Sequence, residues 1–100
     1  MICEPVLFEL LRAAPAVARR NVQTQLELLP LAATPHRLWR DAAQLGQKCL
    51  GRGFVPPAMD LLIAQVCLDH NLELVTLDQH FAKIARVSPL RVRILDRALK

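Results

Sequence analysis

Two short apolar runs, Leu72 to Leu77 and Leu90 to Leu95, bracket a segment from Gln79 to Arg86 whose Phe81, Ile84 and Ala85 share one helical side. Strand, helix and strand in that order make a βαβ unit. Near-continuous apolar strands of this kind belong to a parallel sheet covered on both faces, with right-handed crossovers and ligands gathered at the carboxyl ends of the strands. The fold class expected is α/β, and Asp78 stands at such a strand end.

The helix expected before this unit runs from about Ala58 to Asp69, opened by Pro56-Pro57 and apolar on nearly every side except at Asp60, Gln65 and Asp69. A helix patterned in this way has to be enclosed. Asp60 falls in its first turn, where the dipole and the free amides favour an ionised carboxylate. Asp60 and Asp78 thus each sit where an apolar element begins or ends, at the rim of a core, and so are placed to hold a divalent cation.

Upstream, Val6, Leu7, Leu10, Leu11 and Ala14 predict a first helix between Pro5 and Pro15, and Val17, Val22, Leu26 and Leu29 a second over Ala16 to Leu29. Pro30 to Ala33 reads as a short link or strand. Thr34-Pro35 reads as a cap and first helical position for a third helix that carries Leu38, Ala42, Leu45 and Cys49 on one face, with Gly51 and Gly53 beyond its end. Trp39 lies beside that stripe and is expected to pack into the core in preference to stacking on a nucleic-acid base.

Composition removes several classes. A hydrophobic content of 53% with 3 Gly and mean hydropathy +0.25 describes one compact domain or part of one, spanning residues 1–100. Cys3, Cys49 and Cys67 are odd in number and widely spaced, so neither a disulfide framework nor a zinc site is indicated, and buried reduced thiols are expected. His36, His70 and His80 show no ligand spacing and receive no catalytic or metal-binding part. With no apolar run of membrane-spanning length and no secretory signal, the expected location is the cytoplasm, with no membrane partner.

The formal charge of +4 and pI near 9.5 are compatible with RNA as a partner. The basic residues are spread as Arg12, Arg19, Arg20, Arg37, Arg40, Lys48 and Arg52, then Arg86, Arg91, Arg93, Arg97 and Lys100. They form solvated faces, or a subset of them lines a groove for phosphates. Glu4, Glu27, Asp41, Asp69, Glu73 and Asp96 are read as surface charges or local partners, with Glu4 close enough in sequence to Glu9 to assist it.

Taken together, Ile2-Cys3-Glu4-Pro5-Val6, Glu9-Leu10-Leu11, Trp39 through Ala43, Leu45-Gly46, Pro56 through Ala64 and Leu74 through Phe81 resemble a PIN domain. Within that superfamily the chain is similar to the VapC-type toxins of bacterial toxin–antitoxin pairs. The resemblance implies a three-layer fold, a parallel sheet flanked by helices, in which acidic residues gather one or two Mg2+ or Mn2+ ions that activate water against an RNA phosphodiester. By that resemblance Glu9, Asp60 and Asp78 are the metal ligands, and Thr76 is the hydroxyl residue that accompanies the last aspartate at the catalytic site.

The hard Mg2+ ion takes carboxylate oxygens and keeps several waters, which agrees with the assignment. The family's first acid, an aspartate ending an opening strand, has no counterpart, so the fold is expected to be N-terminally truncated, with a gap in its sheet. Ala13 stands where relatives commonly carry glycine. The function implied is a metal-dependent ribonuclease toxin with an RNA substrate, a cognate antitoxin protein and a homodimeric state. The alternative is a catalytically inactive remnant that binds an antitoxin or a like subunit, and a weaker third reading is a noncatalytic RNA-binding domain.

Overall fold

The computed structural model of the protein describes residues 2–95, so Asp96, Arg97 and Lys100 lie outside the described residues. The chain divides into two compact units, Met1–Pro35 and His36–Lys100.

The first unit opens with strand β1 (Ile2–Cys3), helix α1 (Glu4–Ala13), helix α2 (Arg19–Glu27) and strand β2 (Leu31–Ala32). The strands pair in parallel, Ile2 with Leu31 and Cys3 with Ala32, and the Ile2 amide donates to the Pro30 carbonyl at 2.9 Å. Pro5 enters α1 at its first turn, where a missing N–H costs nothing, and Glu4 there complements the dipole. Ala14 turns extended ahead of Pro15, as the residue before a proline does, and the helix stops. The turn from Pro15 to Ala18 delays α2, which is shorter than the pattern predicts at both ends.

The second unit contains helix α3 (Leu38–Gly51), helix α4 (Ala58–Asp69), strand β3 (Glu73–Thr76), helix α5 (His80–Ala85) and strand β4 (Arg91–Ile94). Buried Leu38, Ala42, Leu45 and Cys49 are the predicted stripe of α3. The start of that helix differs. Thr34 does not cap it, because His36 and Arg37 form a turn first and Arg37 occupies the cap position, its guanidinium 3.1 Å from Asp41. Trp39 departs from expectation too, at 71% exposed, since its position points away from the buried stripe.

Both long helices end in the same way. Gly53, at φ 87°, lets the amides of Gly53 and Phe54 donate back to Leu50 and Cys49, and Asn71, at φ 53°, does likewise for Leu68 and Cys67. This is the Schellman closure, in which a left-handed residue reverses the chain and satisfies the last carbonyls.

Strands β3 and β4 pair in parallel from Glu73 with Arg91 to Thr76 with Ile94, and α5 connects them, so the expected βαβ unit is present. Leu45, Cys49, Ala64, Cys67, Phe81, Ile84 and Leu90 form the core, with Leu74 and Val92 of the sheet packed against it. Two expectations of enclosure are corrected among the described residues. The opposite sheet face is exposed at Glu73, Val75, Arg91 and Arg93, where Arg93 and Glu73 meet at 3.1 Å. Helix α4 buries only Ala64, Val66 and Cys67 fully, while Met59, Leu61, Leu62 and Ile63 stay half-buried. The class is nonetheless the one expected, α/β with parallel sheets flanked by helices.

Candidate metal centre

Three side chains of the second unit converge. Asp60 is the third residue of α4, on a helix whose start is set by Pro57 in an extended conformation. Asp78 lies in the turn beyond the carboxyl end of β3, and His80 is the first residue of α5. One donor atom from each, a carboxylate oxygen from either aspartate and a ring nitrogen from His80, lies within 4.8 Å of the others.

Local hydrogen bonds fix this turn. The Asp78 amide donates to Thr76 Oγ1 at 3.0 Å, and Asp78 Oδ1 accepts the His80 amide at 2.8 Å. Such side-chain-to-backbone bonds replace the backbone ones a strand end lacks and give the segment one shape. His80 Nδ1 comes to 3.1 Å from the same Oδ1. Helix α5, at six residues too short to persist alone, is held by the burial of Phe81 and Ile84. Each buried side chain contributes roughly 1.5–3 kcal/mol.

The sequence-predicted residues are distributed as follows. Asp60 and Asp78 are brought together, and Thr76 supports Asp78 through its hydroxyl. Glu9 belongs to the first unit, half-exposed on α1, with Arg12 at 2.9 Å from its Oε2. His80, to which the sequence assigned no ligand part, is a member of the cluster, because the approach of α4 to the β3–α5 turn is a tertiary contact that no local spacing encodes. The Asp78-x-His80 step at a strand-to-helix turn is the signal that could have found it.

Four other acids behave as local partners. Asp41 pairs with Arg37 and Glu73 with Arg93, while Asp69 and Glu27 accept from Gln65 and Gln23. Elsewhere Arg52, Lys83 and Arg86, with Phe54 and Val87, line a cavity of about 350 Å3. No carboxylate pairs with these three cations among the described residues. Cys3, Cys49 and Cys67 are buried and form no disulfide among the described residues, and burial pushes the Cys3 and Cys49 thiols above their usual range. No helix among the described residues is long and apolar enough to cross a membrane.

Two carboxylates and an imidazole beside the carboxyl end of a parallel strand form a donor set that could hold a divalent cation, in an α/β protein whose strand end carries them. Residues 1–87 match the family model of the PIN domain, and the chain belongs to that family. PIN domains are in general metal-dependent nucleases, and Asp60, Asp78 and His80 are the residues here that could hold the metal. No curated protein matches the chain.

Proposed function

We propose that the protein is a Mg2+- or Mn2+-dependent endoribonuclease, the toxin of a type II toxin–antitoxin pair acting in the cytoplasm. The observation that carries this reading is the approach of Asp60 and Asp78 at the strand end of a PIN domain. Two carboxylates so close repel one another unless a cation lies between them.

In this reading Asp60 and Asp78 would hold the ion. A bound divalent ion supplies a water of lowered pKa and offsets the charge that develops on the phosphodiester. Thr76 keeps Asp78 in place through its amide, acting as a positioning residue. Arg52, Lys83 and Arg86 supply contacts to RNA phosphates, which is the role suited to a basic cavity whose cations have no carboxylate partner among the described residues. A cognate antitoxin protein and a second copy of the chain complete the set of partners.

The test is an RNA cleavage assay on the purified protein with Mg2+ or Mn2+, with and without EDTA. Cleavage is expected only with the ion, and Asp60→Asn or Asp78→Asn should lower it by about 100-fold or more while the circular dichroism spectrum is unchanged. Cleavage that persists in both variants, or in EDTA, rejects the assignment.

A further inference from the structure

We propose that His80 is a third protein ligand at this centre and that its ring nitrogen turns the centre toward a first-row transition-metal ion, Mn2+, over Mg2+. The inference rests on the metal-nuclease reading above and specifies which ion that site selects.

The geometry already suits shared coordination. With ligands about 2.1 Å from the ion, adjacent corners of an octahedron are about 3.0 Å apart and opposite corners about 4.2 Å. His80 Nδ1 and Asp78 Oδ1 are separated by 3.1 Å, the adjacent spacing, and all three donors fall within 4.8 Å of one another. Small side-chain rotations bring the set onto one ion.

His80 is also held where it is. Its amide donates to Asp78 Oδ1 at 2.8 Å, and the burial of Phe81 and Ile84 seats the helix it begins. Backbone and ring of one residue therefore address the same carboxylate, so the nitrogen and oxygen reach an ion as a pair. The backbone of the turn is fixed before binding, and the ring has only its own rotamer to set.

The chemistry of the donor then sets the choice of ion. Mg2+ is hard and favours oxygen, whereas an imidazole nitrogen suits the transition metals, whose affinities rise along the row from Mn2+. Oxygens from Asp60 and Asp78 keep the site hospitable to Mn2+, and the nitrogen adds a preference that carboxylates alone do not supply.

The experiment titrates Mn2+ and Mg2+ into the wild-type protein and into His80→Ala and His80→Gln, by calorimetry and by electron paramagnetic resonance of the bound Mn2+. Wild type should favour Mn2+ over Mg2+ about 10-fold more than either variant does. Pulsed resonance should find nitrogen coupling to Mn2+ in wild type and lose it in His80→Ala. Unchanged ion preference in both variants, or Mn2+ bound without nitrogen coupling in wild type, overturns the proposal and leaves His80 as a surface residue bonded to Asp78. Mn2+ and Mg2+ binding that survives Asp60→Asn and Asp78→Asn instead overturns the metal-nuclease reading, and this inference with it.

Discussion

The Thr76 hydroxyl accepts the Asp78 amide at 3.0 Å, so the last residue of β3 orients the carboxylate that follows the strand. Thr76→Ala removes the acceptor and should cost about 1 kcal/mol, because the freed amide sits at an exposed turn where water takes its bond. Cleavage should fall about 10-fold or more, as it does when a group that orients a metal ligand is lost. Thr76→Ser should retain both properties. Denaturation midpoints and cleavage rates of the two variants check this, and equal rates in Ala and Ser would remove Thr76 from the site.

At Gly46 the missing side chain leaves room for Leu61 of α4 against α3. A Cβ built there meets Leu61 Cδ1 at 3.0 Å, a contact the leucine can relieve only by shifting. Gly46→Ala gains helix propensity against that contact and should change stability little. Gly46→Val adds two further methyls into the same space and should cost roughly 1–3 kcal/mol through overpacking. Thermal unfolding of the two variants decides it, and a Val variant as stable as wild type would show that the helices separate freely.

Much of the second unit is legible in the sequence because local rules suffice there. The spacing of Leu38, Ala42, Leu45 and Cys49 gives the buried face of α3, and Pro57 with Asp60 gives the start of α4. The βαβ unit follows from two apolar runs around a helical period. What escapes local rules is what tertiary contact decides. Trp39 neighbours the stripe in sequence yet faces solvent, since one step along a helix turns a side chain about 100° away. His80 becomes a candidate ligand only because α4 carries Asp60 to it. Nor does a four-residue strand such as Glu73–Thr76 reveal that Glu73 and Val75 are exposed among the described residues.

Burial raises the Cys3 and Cys49 thiol pKa, which gives stability a direction with pH. In the unfolded chain these thiols ionise near pH 8.5, whereas the folded protein retains their protons to higher pH. The native state thus binds more protons in that window, and their contribution is fully present below about pH 8.5 and lost as pH rises through the folded values. Urea unfolding in reducing buffer should show stability declining above about pH 8.5, and less steeply in Cys49→Ala. An identical slope in that variant would mean that Cys49 does not contribute.

Arg52, Lys83 and Arg86 surround one cavity without carboxylate partners among the described residues, which makes them candidates for phosphate contacts instead of solvated charges. The two roles separate in the salt dependence of RNA binding. Each phosphate contact to a single strand adds about 0.7 to the slope of log affinity against log salt, because it releases condensed counterions. In an Asp60→Asn background, where RNA stays intact, replacing all three by glutamine should therefore lower the slope by about 2. Filter binding across a range of salt concentrations measures it. A slope unchanged by the triple replacement would return these residues to the solvated surface and place the path of the RNA elsewhere on the domain.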